Sequence, residues 1–146
     1  MRELSLQDIA SACGGDIPAG AEQTRVVAVV TDSRKCVPGA LFVALPGEKT
    51  DGHRFVRSAF EKGASAALVR RDWFRTEKDS LPGPCVAVDD PLAALGRLGR
   101  WARSQADIPV LGLTGSMGKT TTREMLALLL RLHHRPLVSP ANLNTE

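Results

Sequence analysis

The sequence predicts an α/β protein, in which a small α/β domain is followed by the first strand–helix–strand (βαβ) unit of a phosphate-loop domain. Apolar runs of strand length alternate with segments of helical periodicity along most of the chain. A glycine-rich turn at residues 112–118 lies between one apolar run and one helix-like segment, as a phosphate-binding loop does. The 146 residues are enough for one domain with a core of ordinary size.

The first part of the chain contains two predicted helices and three predicted strands. Ser5, followed by Asp8, is a helix start signal, and the glycine pair at residues 14–15 ends that helix. Residues 53–62 form the second predicted helix, which Gly63 ends, with a buried face of Phe55, Val56, Ala59 and Phe60. Apolar, partly β-branched runs predict the strands at residues 26–30, 40–45 and 64–69.

The middle of the chain carries the predicted domain boundary. Residues 73–84 are polar and turn-rich, so no helix is predicted there, and residues 85–88 predict a strand. Asp90 before Pro91 predicts the start of a longer helix. The buried stripe of this helix is predicted to be Leu92, Leu95, Leu98, Gly99 and Ala102. We place the boundary near residue 84, which gives domains of residues 1–84 and 85–146.

The second predicted domain holds a single βαβ unit. Its strands are predicted at residues 110–113 and 136–139, with a helix from Thr120 to about Leu132 between them. One such unit cannot cover both faces of a parallel sheet. The domain is therefore expected to be incomplete at Glu146.

Composition narrows the classes of function. The formal charge is +3, from 19 basic and 16 acidic residues that are scattered, and the six aromatic residues include no tyrosine, so nucleic-acid binding is not expected. Three cysteines far apart in the sequence suggest neither a disulfide framework nor a zinc site. The N-terminus resembles no export signal and no apolar stretch reaches 18 residues, so a cytoplasmic protein without membrane contact is expected.

The glycine-rich turn is the strongest functional signal. Backbone N–H groups at a helix start, together with the helix dipole, attract a phosphate chain, and Lys119 adds a mobile positive charge. Thr120 offers a hydroxyl to the magnesium that accompanies a triphosphate. The general pattern G-x-x-x-x-G-K-[ST] is not strictly met, because its first glycine falls on Leu113. The alternative is an ordinary glycine-rich turn. The candidate nucleotide contacts are Gly115, Ser116, Gly118, Lys119, Thr120 and Thr121.

A second candidate site follows the early strands. Ser33 and Arg34 come after one strand, and the turn of Asp51, Gly52 and His53 begins a helix suited to an anion. The alternatives are a turn or cap role for the aspartates and a surface charge for Arg34. For His53, a ligand contact or a cap is favoured over a general base.

Four ordered motifs resemble the Mur ligases, the cytoplasmic ATP-dependent enzymes that lengthen the peptide stem of peptidoglycan precursors. The first three are Thr-Asp-Ser-Arg at residues 31–34, Pro-Gly-Ala-Leu-Phe-Val-Ala-Leu-Pro-Gly at 38–47 and Asp-Gly-His-Arg-Phe at 51–55, with Gly-Ala following at 63–64. They are similar to the uridine-nucleotide domain of the family. The fourth, Thr-Gly-Ser-Met-Gly-Lys-Thr-Thr-Thr at 114–122, is similar to its ATP loop. Met117 and Thr145 depart from the pattern, since asparagine is usual at both.

The resemblance implies the function and the site residues. Residues 1–84 would bind the UDP precursor through Ser33, Arg34 and the Asp51–His53 turn. ATP and Mg²⁺ would be cofactors, with Lys119 catalytic and with Thr120 and Glu146 as metal ligands. Residues 115–116, 123–125 and 142–146 are most similar to the family member that adds D-alanyl-D-alanine to UDP-N-acetylmuramoyl-tripeptide through an acyl phosphate.

The resemblance also implies a cytoplasmic monomer, and a chain that is inactive in ligation by itself. The ligase that adds the third stem residue is the near alternative. A generic phosphate-loop hydrolase and a non-catalytic nucleotide-binding module remain alternatives from other classes.

Overall fold

The computed structural model describes residues 3–47 and 50–139 and divides the chain into two compact units, Met1–Ala106 and Asp107–Glu146. The boundary between these units lies about one strand and one helix after the boundary predicted near residue 84. The strand that follows residue 84 is hydrogen-bonded into the sheet of the first unit, and the next helix packs on the first helix of that unit.

The first unit is built on a parallel sheet of four strands in chain order. These strands are β3 (Ala28–Val30), β4 (Ala40–Val43), β5 (Ala66–Arg70) and β6 (Cys85–Val88). Two further short strands, β1 (Leu4–Ser5) and β2 (Arg25–Val26), pair with each other antiparallel. The apolar run predicted as one strand at residues 26–30 is thus divided between two sheets at Val27.

Helices cover both faces of the sheet. They are α1 (Leu6–Cys13), α2 (Val56–Glu61), α3 (Arg71–Glu77) and α4 (Pro91–Ser104), with short 3-10 turns at Ser33–Lys35, Gly52–Phe55 and Lys78–Ser80. Ser5 and Asp8 form the predicted capping box, and Asp90 caps α4 by accepting from the backbone N–H of Leu92 at 2.8 Å. The helix α3 was missed by the sequence analysis, which left residues 73–84 without a helix.

Successive side chains of each strand point to opposite faces of the sheet, so the core lies in two layers. Leu41 and Val43 face the layer that includes α1 and α4, and Phe42 between them faces the layer that includes α2 and α3. Because both faces are covered, every residue of β4 and of β6 is buried, which is typical of a parallel sheet.

Two predicted buried faces need correction. Phe55 is 41% exposed, because residues 52–55 form a 3-10 turn and α2 begins only at Val56. Leu92 is 62% exposed, and Gly99 and Ala102 are also exposed. The α4 face that packs on the core is formed by Pro91, Ala94, Leu95, Leu98 and Trp101.

Residues 107–139 of the second unit contain one helix, α5 (Lys119–Leu130), preceded by the glycine-rich turn. Within the described part of this unit, residues 110–113 and 136–139 adopt no strand, although the sequence predicts one at each position. A strand forms its ladder hydrogen bonds with a neighbour, and the described residues of this unit contain no paired strands. Along residues 3–47 and 50–139, no helix has the length and apolar character needed to cross a membrane.

Candidate nucleotide-binding sites

The polar segments that follow the strands of the first unit lie at the carboxyl edge of the parallel sheet. Parallel strands end at the same edge, so the segments after β3, β4, β5 and β6 all start there. Ser33 and Arg34 follow β3, and Asp51, Gly52 and His53 follow β4. In α/β proteins ligands bind at this edge, which supports the location predicted for the precursor site.

Ser33 and Arg34 differ in what they can offer a ligand. Ser33 is 9% exposed, and its carbonyl accepts from Lys62 Nζ at 3.3 Å. The guanidinium of Arg34 is 83% exposed and pairs with Asp32, Nη2 to Oδ2, at 2.8 Å. Hydrogen bonds from the Arg34 side chain and backbone lower the pKa of Asp32 to about 2. The charge on Arg34 is therefore held in place at the edge while its outer face remains open to an anion.

The turn that begins at Asp51 is tightly closed. The Asp51 carboxylate accepts from the backbone N–H of His53 at 3.0 Å, and Gly52 N donates to the Leu45 carbonyl at 3.0 Å. A Cβ at residue 52 would lie 2.6 Å from that same carbonyl oxygen. Only glycine permits this approach, so the motif glycine is a packing requirement of the loop.

His53 does not lie where a ligand can reach it. The residue is 2% exposed, its Nδ1 lies 2.6 Å from Asp51 Oδ1, and its Nε2 accepts from the backbone N–H of Arg70 at 2.9 Å. The ring also contacts Trp73, with centroids 5.0 Å apart. Both ring nitrogens are used inside the protein, so this geometry does not support the predicted direct contact with uracil or phosphate.

Charged residues that the sequence analysis did not select line an open cavity of about 210 Å³ at this edge. Its lining consists of Arg70, Arg71, Asp72, Arg75 and Asp89. Arg71 forms ion pairs with Asp16 and with Asp89, the latter at 2.8 Å, and Arg70 pairs with Asp72 at 2.5 Å. The signal in the sequence that could have identified these residues is their position, because Arg71 and Asp72 directly follow β5 and Asp89 directly follows β6.

In the second unit the glycine-rich turn is closed by its own lysine. Lys119 Nζ donates to the Gly115 carbonyl at 2.8 Å, which places the ammonium group across the loop. Gly115 and Gly118 have φ of 149° and 75°, conformations that favour glycine. Gly118 is the N-cap of α5, no side chain caps that end, and its first turn contains no acidic residue. The loop therefore presents backbone N–H groups and positive charge, which suits a phosphate group.

The donor set also suits a magnesium ion that arrives with a nucleotide. Ser116, Thr120 and Thr121 are exposed on the loop and first helical turn, and their hydroxyls are hard oxygen donors. Within residues 3–47 and 50–139, no cluster of three His, Cys, Asp or Glu residues could hold a metal unaided. Glu146, the other predicted metal ligand, and Thr145 lie outside the described residues. Met117 is 89% exposed beside the loop.

Cys13 and Cys85 are buried and have unreactive thiols. Burial raises the pKa of the Cys13 thiol to about 11 and that of Cys85 to about 12. Thiols of this kind are weak nucleophiles and poor metal ligands at neutral pH.

Comparisons with known proteins agree with the motifs. A family model described as the Mur ligase family, catalytic domain, matches residues 25–100. The UDP-N-acetylmuramoyl-tripeptide–D-alanyl-D-alanine ligase of Escherichia coli K12 is 38% identical over 146 residues, which are 100% of this chain and 30% of that protein. The crystal structure of MurF from Acinetobacter baumannii matches with a TM-score of 0.85 at 35% identity, over 99% of this chain and 31% of that one.

A structure solved with a nucleotide extends the comparison. MurF ligase from Thermotoga maritima, in complex with ADP, matches with a TM-score of 0.66 at 32% identity, over 80% of this chain and 26% of that one. The chain thus spans about 30% of the length of the E. coli relative.

Proposed function

The chain belongs to the Mur ligase family, and from that premise we propose that it supplies two parts of an ATP-dependent amide ligase of peptidoglycan biosynthesis. The first unit would bind the UDP end of the precursor, and the loop before α5 would bind the phosphates of ATP. The complete enzyme would add D-alanyl-D-alanine to UDP-N-acetylmuramoyl-tripeptide in the cytoplasm. The name of the E. coli relative supports this choice of substrates.

The single observation that carries the proposal is the position of Lys119. Its ammonium group is fixed on the Gly115 carbonyl at 2.8 Å, directly beside the uncapped N-terminus of α5. Positive charge, a helix N-terminus and two glycines with positive φ thus coincide in a few residues. This combination is what a polyphosphate requires, and an ordinary glycine-rich turn does not need the lysine.

The chemistry of the proposed reaction explains the need for these groups. A carboxylate must approach the terminal phosphate of ATP, so two anions are brought together and charge develops on the transferred phosphoryl group. One unit charge at about 4 Å contributes roughly 4 kcal/mol at an effective dielectric of 20, before desolvation. Lys119 would neutralise the β- and γ-phosphates, and Thr121 would donate a hydroxyl to a phosphate oxygen. Thr120 would hold a bound Mg²⁺ ion, which would supply further charge neutralisation.

The decisive experiment is Lys119→Ala in the full-length enzyme. We expect acyl-phosphate formation to fall at least about 100-fold, which is about 2.7 kcal/mol of transition-state stabilisation, while the circular dichroism spectrum is unchanged. The matched control is Lys78→Ala, an exposed lysine of the first unit, which should retain wild-type activity. Full ligation by Lys119→Ala would remove this residue from the mechanism.

The precursor site has its own test, with calorimetry on the 146-residue chain. We expect weak binding of UDP-N-acetylmuramoyl peptide, a further loss on Arg34→Ala and no change on Arg100→Ala, which removes an exposed arginine of α4. ATP should bind poorly or not at all to this chain. Tight ATP binding without any response to a uridine ligand would contradict the assignment of the first unit.

A further inference from the structure

The ring of His53 occupies the place where strand β4 would continue. Along β5 the backbone groups alternate between β4 and β6: the N–H of Ala67 donates to Pro84 next to β6, and the carbonyl of Leu68 accepts from Ala44 at 2.9 Å. Two residues beyond Leu68, the N–H of Arg70 faces the β4 side again. The chain has left the ladder after Ala44, and Nε2 of His53 accepts that N–H at 2.9 Å.

These contacts determine the tautomer of the ring. A backbone N–H can only donate, so Nε2 carries the lone pair and, in the neutral ring, Nδ1 carries the hydrogen. Nδ1 then donates to Asp51 Oδ1 over 2.6 Å. That carboxylate oxygen also accepts from the backbone N–H of His53, which lowers the pKa of Asp51. The Trp73 ring, from α3, lies against the imidazole.

Three contacts of its described residues fix the loop between β4 and α2. Pro46 and Asp51 form an isolated antiparallel bridge, Gly52 N donates to the Leu45 carbonyl, and His53 connects the turn to Arg70. The first two contacts close the loop on itself. Only the third joins it to the next strand of the sheet.

We propose that His53 is a positioning residue: in its Nδ1–H tautomer it takes the place of β4 beyond Ala44 and holds the Asp51–His53 turn against the end of β5. It thereby sets where the loop lies at the carboxyl edge, where a uridine diphosphate would bind. The part of this inference that concerns the ligand rests on the proposed function. The part that concerns the tautomer and the hydrogen bond to Arg70 does not.

Two substitutions test the roles of the two ring nitrogens separately. In His53→Gln the side-chain amide reaches the position of Nε2, and its oxygen can accept from Arg70. In His53→Asn the amide reaches only the position of Nδ1, so the bond to Asp51 is kept and the bond to Arg70 is lost. Both variants place a neutral amide in the same buried site, so a merely structural role predicts similar behaviour for the two.

The first measurement is made on the wild-type chain and needs no variant. Long-range proton–nitrogen correlation spectra should show His53 as the neutral Nδ1–H tautomer, with exposed His133 and His134 as internal references. An Nε2–H tautomer, or a ring that exchanges as fast as these references, would overturn the proposal. This result does not depend on whether either variant folds.

The second measurement compares the variants by amide hydrogen exchange and by affinity for UDP. Exchange at Arg70 should stay near the wild-type rate in His53→Gln and rise roughly tenfold in His53→Asn, as expected for the loss of one hydrogen bond. The dissociation constant for UDP should follow the same order. Equal exchange rates in the two variants would refute the role of His53. If the wild-type chain does not bind UDP, the proposed precursor site fails, and the exchange rates alone decide the positioning role.

Discussion

Replacing Gly52 with alanine tests whether the loop after β4 is held as tightly as its contacts indicate. An added Cβ would lie 2.6 Å from the Leu45 carbonyl oxygen, 2.8 Å from the Leu45 nitrogen and 3.1 Å from the carbonyl carbon of Ala44. All three are backbone atoms, so no side-chain rotation can relieve the overlap. The turn and the end of β4 must therefore separate.

The expected cost follows from that separation. Overpacking of a tight site costs about 1–3 kcal/mol. The movement also weakens the hydrogen bond from Gly52 N to the Leu45 carbonyl, now 3.0 Å, which is worth about 0.5–1.5 kcal/mol and is part of the same total. For a unit of this size each kcal/mol shifts Tm by about 4–8 °C. We expect Gly52→Ala to lower Tm by at least about 4 °C.

The assay is thermal and urea unfolding of the 146-residue chain, followed by circular dichroism, with Gly96→Ala as the matched control. Gly96 lies inside α4, and a Cβ there would meet nothing within 4 Å. That variant should gain about 0.5–1 kcal/mol, because alanine is the better helix former. The two substitutions are chemically identical and should change stability in opposite directions. Unchanged stability of Gly52→Ala would refute the close packing of the loop.

Three further predictions follow from the caps and charges. The carboxylate of Asp32 should titrate by NMR with a midpoint near pH 2, and in Arg34→Ala this midpoint should move towards 4. Because the pKa of Asp32 is lower in the folded state, its contribution to stability is present above about pH 4 and is lost as the pH falls towards 2. An unchanged midpoint in Arg34→Ala would contradict the ion pair. Asp90→Ala should lower the free energy of unfolding by about 0.5–2 kcal/mol, because an N-cap is lost. Asp89→Ala should lower it by at most about 1 kcal/mol, because it removes only an exposed ion pair. Equal losses in urea unfolding would argue against the cap. In the full-length enzyme, Thr120→Val should weaken magnesium-dependent ATP binding more than magnesium-free binding, and equal weakening would exclude Thr120 as a metal ligand.

The strands of the first unit were predictable because their signal is local. The runs in β4 and β6 are apolar throughout, and the run in β5 is apolar up to Arg70 at its end, as expected of strands buried on both faces. The helix α3 carries no such signal, since its N-cap is Arg70, without a side-chain cap, and no residue in it is fully buried. For α4 the helix and the buried positions of Leu95 and Leu98 were predicted correctly, whereas Leu92, Gly99 and Ala102 were wrongly placed on its buried face. Leu92 is apolar but lies outside the face that packs on the core, and the sequence does not reveal the packing of α4 on α1 that sets this face.

The two candidate sites also differ in how far the sequence alone could predict them. The phosphate loop was predictable, because the glycines, the lysine and the helix start are consecutive and their geometry is set within a few residues. The role of His53 was not, because its partner Arg70 is 17 residues away and reaches it only after β4 leaves the sheet. A motif residue can therefore act inside the fold, as His53 does, without being accessible to a ligand.

Several large apolar side chains of the second unit are exposed. Val110 and Leu111 are 63% and 65% exposed, and α5 leaves Leu128 and Leu129 each 62% exposed. Burying a side chain of this size contributes about 1.5–3 kcal/mol, so pairing of residues 110–113 with a neighbouring strand and covering of α5 would stabilise the unit substantially. The N–H groups proposed to bind phosphate are held by the same backbone. The affinity of the loop for ATP should therefore depend on how fully this unit is paired and covered, and the loop sequence alone does not set it.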